Sequence, residues 1–325
     1  MRSETRVLLV SGLCGGLLAM ASSCLAAAPY PTQPIRLIVP FAPGGGADAN
    51  ARRIAEPWSK ALGQPIVVEN KPGAGGTLGA TFVAQAAHDG YTLLYATPGQ
   101  QMTAPYLFKN LAYDPFKSLV PVGKLSVGAN VLVVTKSLPV HSVQELVAYA
   151  RAHPGKLGFA SSGVGSTSHL AGELFKQKAG VDIFHVPYRG TGPARTDLMS
   201  GQVPMTIDTL SVYLPLIQSG DVRALGVSSL KRDPALPDLP AIAETLPGFE
   251  AVPVNYIAAP AGTPREVIDK LNTTLNQVIN DPRVRNSFEK GTSLEGGTPQ
   301  EMGELIVSEQ AKWKALIEQA GIKPE

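Results

Sequence analysis

Residues 161–169 read SSGVGSTSH. Ser161, Ser162, Ser166, Thr167 and Ser168 supply hydroxyls, and Gly163 and Gly165 leave backbone N–H groups open to close approach. Donors of this kind, at the start of a helical pattern, suit a carboxylate, which accepts several hydrogen bonds and asks for no covalent chemistry. Some of the hydroxyls are expected to cap the helix, but five hydroxyls and two glycines in nine residues exceed what a cap needs. A related stretch, VPFAPGGGADANARRI over 39–54, runs from an apolar strand pattern through three glycines into a helical pattern. Bare N–H groups at a helix start attract anions. A third glycine loop, KPGAGG over 71–76, repeats the device with Gly73, Gly75 and Gly76.

A competing chemistry is written in the same residues. Gly44-x-Gly46-x-x-Ala49 fits the dinucleotide pattern, and Glu69, at the end of the next strand pattern, stands where a ribose-binding acid belongs. That reading is a dinucleotide-dependent oxidoreductase. One cofactor fingerprint does not explain why a donor-rich glycine loop recurs more than a hundred residues later. A cleft with helix starts pointing in from two sides does. No P-loop lysine follows either glycine cluster, which argues against a nucleoside triphosphate.

Other enzyme signatures fail in turn. There is no G-x-S-x-G elbow. His169 follows Ser166 by three residues, which fits a nucleophile and base or, more simply, a capped helix start. The five histidines show no metal-ligand spacing. The expectation is a binding protein, not an enzyme, with no cofactor and no metal.

Three charged residues have two readings each. Asp48 sits in the first turn of its helix, where it either meets a ligand or pairs with Arg52 one turn on. Tyr188 and Arg189 end a strand pattern before Gly190 and Gly192; the guanidinium either forks onto a carboxylate or lies exposed at a loop tip. Asp208, at another strand end, either accepts from a ligand amino or hydroxyl group or caps a turn.

The elements that must position these residues alternate along the chain. IRLIVPF, PIVVEN, YTLLYAT, NVLVVT, LGFASS, IFHVP and VRALGVSS read as strands, most followed by helical runs. That alternation predicts an α/β fold of parallel-rich sheets with helices on both faces. Ser142 to Glu145, Thr263 to Glu266 and Thr298 to Glu301 match capping boxes. A proline-rich stretch over 232–254 reads as a connection, and a weaker boundary falls near 113–130. Two crossings suggest one lobe inserted in another: 29–128 with 254–325, and 129–253.

Residues 1–28 read as a leader. Arg2 and Arg6 precede an apolar run from Val7 to Met20 and a small-residue tail. The run is shorter than the roughly 20 residues that span a bilayer. Cleavage is expected after Ala26 or Ala28. Lipid anchoring at Cys24 is not expected, because Ala21 stands where a larger aliphatic residue belongs. Both cysteines lie in this leader, so the exported chain has no disulfide and no thiolate. At 44% hydrophobic and 17% charged the full chain is too apolar for disorder, and its formal charge of +2 without a Lys/Arg block excludes nucleic acid as a partner.

Taken together, YPTQPIRLIVPFAPGGGADANAR, VENKPGAGG, GFASSGVGSTSHLAGELFKQKAG, HVPYRGTGPARTDLMSGQV and AAPAGTP resemble the Bug family, the substrate-binding receptors of tripartite tricarboxylate transporters. The resemblance runs from Tyr30 to the end with the motifs in order. It implies a two-lobed periplasmic binding protein fold of the second type that closes over a carboxylate, held partly through ordered water. Carried over, the first loop supplies Phe41, Pro43, Gly44, Gly45 and Asp48. The second supplies Ser161, Ser162, Gly163, Ser166 and Thr167, with His169 nearby; Thr97, Tyr188 and Asp208 shape the far end. Two positions depart from the family pattern: Ala47 replaces a common hydroxyl residue, and Asn255-Tyr256 stand where a tryptophan is common. The implied partners are a small carboxylate and the membrane subunits of a transporter, with a sensor protein as another reader of the closed state. The receptor is expected to be periplasmic and monomeric.

Overall fold

The computed structural model describes residues 30–288, 290–319, 321, 322 and 324; the leader expected over 1–28, with Cys14 and Cys24, lies outside them. The chain begins with strand β1 (Ile35–Val39), helix α1 (Gly46–Leu62), β2 (Ile66–Asn70), α2 (Thr77–Ala84), β3 (Thr92–Ala96) and the short α3 (Ala104–Leu107). It continues through β4 (Leu119–Gly128), β5 (Asn130–Thr135), α4 (Val143–Ala152), β6 (Leu157–Ser161), α5 (Thr167–Ala179), β7 (Ile183–Pro187), α6 (Thr191–Ser200), β8 (Met205–Thr209), α7 (Leu210–Gln218) and β9 (Val222–Val227). It closes with β10 (Val254–Pro260), α8 (Arg265–Ile279), α9 (Pro282–Ser287), β11 (Thr292–Leu294) and α10 (Pro299–Gln319).

The strands form two sheets, β11-β4-β10-β3-β1-β2 and β7-β6-β8-β5-β9, with helices on both faces. The first draws on residues 35–128 and 254–294, the second on 130–227. Central strands are apolar runs rather than alternating ones, because both faces are covered. β3 and β5 are buried at every position. Ile38, Leu94 and Ala258 of the first sheet and Leu132, Phe159 and Ile207 of the second are fully buried. Each large side chain so placed contributes about 1.5–3 kcal/mol.

The sheets are mixed rather than parallel throughout. β1 pairs in parallel with β2 and β3, and β6 with β7 and β8, as the strand–helix alternation predicts. β4, β5 and β10 run antiparallel to their neighbours. These strands carry the chain between sheets without an intervening helix, so nothing returns it to the starting edge in the same sense. Only Ala129 separates β4 from β5. The stretch expected as a weak boundary is thus mostly strand, hydrophobic enough to enter a sheet. The return passes through the proline-rich stretch before β10, which lies beside β4 with Val254 opposite Val127.

One of the three capping boxes forms in full and one in half. Thr298 Oγ1 accepts from Glu301 N at 3.1 Å while Glu301 Oε2 accepts from Thr298 N at 2.7 Å; Ser142 Oγ accepts from Glu145 N at 3.1 Å, but Glu145 Oε2 accepts from His141 N at 2.6 Å instead of Ser142 N. At α8 the box is absent: the helix begins at Arg265 with Pro264 as its cap residue, and Thr263 Oγ1 donates to Pro260 O at 2.7 Å. Among the described residues no helix is long and apolar enough to cross a membrane.

Candidate functional site

A cavity of about 60 Å³ opens where the loops of the two sheets meet. The β1–α1 connection contributes Phe41, Gly45, Gly46 and Ala47, with Asn50 one turn on. Thr97 follows β3, and Ser162, Ser166, Thr167 and Ser168 come from the β6–α5 loop. Thr191 starts α6; Asp208 and Thr209 join β8 to α7. The crossing strands close the rear with Gly128, Asn130 and Asn255.

The common origin of these residues is topological. β1, β6, β7 and β8 each end at the cavity, and the helix after each begins there, the usual place for a ligand in an α/β sheet. Four helix N-termini, those of α1, α5, α6 and α7, therefore converge. Gly45, Gly190 and Thr209 provide no side-chain cap for α1, α6 and α7. First-turn N–H groups lack partners within their own helix, and each helix end carries roughly half a positive charge. Among the described residues no Lys, Arg or His lines the cavity.

The hydroxyl loop is itself hydrogen-bonded into shape. Ser166 Oγ donates to Gly163 O at 2.6 Å and accepts from His169 N at 3.3 Å, which caps α5. Ser168 Oγ accepts from Ser162 N at 2.9 Å. Ser161 lies beneath the cavity floor, fully buried, accepting from Gly163 N and meeting His185 Nε2 at 2.5 Å. The ring of His169 is turned away from Ser166: its Nδ1 accepts from Gly165 N at 3.2 Å, and it stacks on His185 with centroids 4.0 Å apart. The nucleophile-and-base arrangement is therefore absent. Burial lowers His169 to about 4; burial and the charge of His169 lower His185 to about 3.

Asp48 takes the structural one of its two expected roles. It pairs with Arg52 at 3.0 Å, accepts from Gly44 N at 3.0 Å and from Asn70 Nδ2 at 2.9 Å, and does not line the cavity. Burial pushes its carboxyl up, but the bonds from Arg52, Gly44 and Asn70 outweigh this and hold it below the ordinary value. Pro43 and Gly44 form the exposed crest of this loop. Tyr188 donates its hydroxyl to Asp197 Oδ2 at 2.7 Å, away from the cavity. Arg189 is exposed, and only its backbone carbonyl joins the assembly, accepting from Ala42 N at 2.9 Å. Of the expected residues, Phe41, Gly45, Thr97, Ser162, Ser166, Thr167 and Asp208 line the cavity; Gly163, Ser161 and His169 support its floor.

Asp208 is 3% exposed at the end of β8. Its Oδ1 accepts from Thr209 N at 2.8 Å and Thr209 Oγ1 at 3.2 Å, and its Oδ2 is buried without a partner. Burial raises its pKa, against the hydrogen bonds from Thr209 and the lowering effect of the neighbouring Thr191 hydroxyl.

Gly75 of the KPGAGG loop and Gly163 of the hydroxyl loop allow the two loops to touch. A Cβ on Gly75 would lie 1.8 Å from Val164 O, and one on Gly163 would lie 3.2 Å from Gly75 Cα. Both glycines have positive φ. Glu69 does not remain open to a ribose: Arg36 grips both its oxygens, at 2.7 and 2.8 Å.

Sequence reading missed Asn50, Asn130, Thr191, Thr209 and Thr292 as lining residues. Asn50 had a legible signal, a polar residue on the helix face shared with Gly46 and Ala47. Asn130 and Thr292 had none, because they reach the cavity only through pairing between distant strands.

The family model described as tripartite tricarboxylate transporter family receptor matches residues 50–322. BugT of Bordetella pertussis (strain Tohama I) is 36% identical over 322 residues, covering 98% of both chains. The R. palustris protein Rpa4515, solved with adipate, superposes with a TM-score of 0.89 at 41% identity, covering 91% of this chain and 100% of that one. MatC from Rhodopseudomonas palustris, solved with bound malate, gives 0.85 at 35% identity, covering 89% and 100%.

Proposed function

The chain belongs to the tripartite tricarboxylate transporter receptor family, and from that premise we propose that it captures a small organic carboxylate in the cavity between its two sheets. The family is one of solute-binding proteins, not enzymes. One observation carries the assignment to this cavity: four helix starts, three without a side-chain cap, surround a space that no basic side chain among the described residues lines. Anion binding there rests on N–H groups, hydroxyls and helix dipoles. The adipate and malate of the similar structures support the ligand class.

In this reading residues 29–128 with 254–325 form one lobe and 129–253 the other, and the cavity is the cleft between them. β4, Ala129, β5 and the return into β10 act as the hinge. Closure brings the loop of Gly45 and Gly46 towards that of Ser166 and Thr167 and excludes water, which strengthens every hydrogen bond to the anion. The closed monomer then docks on the membrane subunits of a transporter in the periplasm; a sensor protein reading the same closed state is the second use of this geometry. The leader over 1–28 provides export.

Thermal unfolding of residues 29–325 against di- and tricarboxylates, their amides and NAD tests the reading. A bound acid at a hundred times its Kd adds about 2.7 kcal/mol, a rise of a few degrees. An acid that stabilises while its amide does not is the expected outcome. Stabilisation by NAD alone, or equally by acid and amide, overturns it.

A further inference from the structure

We infer that Thr103 is a positioning residue for closure: without touching the ligand, its hydroxyl ties one lobe to the hydroxyl loop of the other and so sets the affinity for every ligand by one common factor. The inference rests on the two-lobe reading given above and adds to it the contact that holds the closed form.

Thr103 ends a single π-helical turn, Gly99–Thr103, between β3 and α3. Such turns are rare and recur at functional places. This one is fastened within its own lobe. Gln101 Oε1 accepts from the Tyr256 hydroxyl at 3.0 Å, and Gln101 Nε2 donates to Pro115 O at 3.1 Å and Leu119 O at 3.3 Å. Gln101 O accepts from Gln310 Nε2 of α10 at 2.9 Å, and Gln100 Oε1 accepts from Thr97 N at 2.7 Å. The turn itself is closed by the backbone bond from Ala104 N to Gly99 O, so it does not depend on the Thr103 hydroxyl.

That hydroxyl has two acceptors. Gly99 O, one turn back, lies at 3.2 Å, and Gly165 O, in the hydroxyl loop after β6, at 2.7 Å. The shorter bond crosses between the lobes. The longer one stays available when they part, so opening strands no donor. What opening gives up is a buried bond: Thr103 is 0% exposed and does not line the cavity. A Cβ on Gly165 would lie 3.2 Å from Leu107 Cδ1 and 3.5 Å from Phe108 Cε2, so apolar side chains flank the contact and keep water from competing. A bond made in the closed form raises the closed population, and apparent affinity scales with that population whatever the ligand is.

Isothermal titration of residues 29–325 with succinate, malate, adipate and citrate reads the effect in wild type, Thr103→Val and Thr103→Ser. Valine keeps the shape and lacks the hydroxyl; serine keeps the hydroxyl and lacks the methyl group. Thr103→Val is expected to bind each acid that wild type binds about tenfold more weakly, by the same factor for all, because Gly165 O then closes onto a methyl group. Thr103→Ser is expected to bind as wild type does. Thr103→Val binding as tightly as wild type, or Thr103→Ser losing as much as Thr103→Val, makes the residue a packing group and overturns the inference while the carboxylate reading stands. So does a loss that differs from acid to acid, which puts Thr103 at the ligand. Failure of Thr103→Val to fold also overturns it, since a bond made on closure is not needed for the fold. Wild type binding none of the four overturns the carboxylate reading as well.

Discussion

Ser166 and His169 are neighbours in sequence whose functional groups face different tasks. Ser166 spends its hydroxyl on Gly163 O and the α5 cap, and the buried His169 stacks on the half-buried His185 under the loop. That pair makes loop geometry sensitive to acid. Both rings sit below the unfolded value of about 6.5, at about 4 and about 3, through burial. The unfolded chain therefore holds more protons as pH falls from about 6.5, so this contribution to stability is present above that value and is lost towards the folded values. Glu173, beside His169 and raised by burial, acts in the opposite sense over its own range. Replacing both histidines with Gln removes their share and leaves that of Glu173. Urea unfolding at about pH 7 and about pH 5 should show wild type losing more stability between the two than the double variant. Equal losses would place the acid sensitivity elsewhere.

At the scale of elements, the loops carry more of the assembly than their glycine content first suggests. Gly75 abuts Val164 O, Gly45 and Gly46 abut Thr191 and Thr209, and Thr103 Oγ1 donates to Gly165 O at 2.7 Å. These contacts join loops of one sheet to loops of the other, where a methyl group would separate backbones. Gly75→Ala therefore has two effects with different readouts. Its φ of +60° strains any L side chain, which lowers stability by about 1–2 kcal/mol. The collision with Val164 exists only while the loops touch, so under the proposed closure it weakens ligand binding as well, by at least about tenfold. Titration of wild type and variant with the same acid checks this; unchanged affinity would mean the loop contact is independent of the ligand. Gly63 and Gly180 end α1 and α5 in the left-handed conformation. The capping box expected over Thr263 to Glu266 does not form, since α8 starts one residue later, behind Pro264.

For the whole molecule, the proposed closure is a change of shape. Small-angle scattering of residues 29–325 should give a smaller radius of gyration when the stabilising acid is added, and an unchanged radius would remove the hinge from the account. The hinge also marks where reading the chain alone stops. Apolar runs and glycine–helix punctuation determined the strand–helix alternation, because periodicity and backbone sterics act over a few residues. The donor-rich loops at helix starts were equally plain, and with them the expectation of a carboxylate ligand, since it needs only residue types at short spacing. Local pattern could not determine that β4 passes through Ala129 into a second sheet, because strand sense depends on which distant edge is free. Nor could it separate residues that line the cavity from those that build its support. Asp48, Arg189 and Gly75 carry the same local signals as Gly45, Thr167 and Asp208. Only the packing of loop against loop turned Asp48 to Arg52, left the Arg189 side chain in solvent, set Gly75 against Val164 and buried Asp208 with one oxygen unpaired. Facing is decided by contacts between residues far apart in the chain, and those form only in the folded protein.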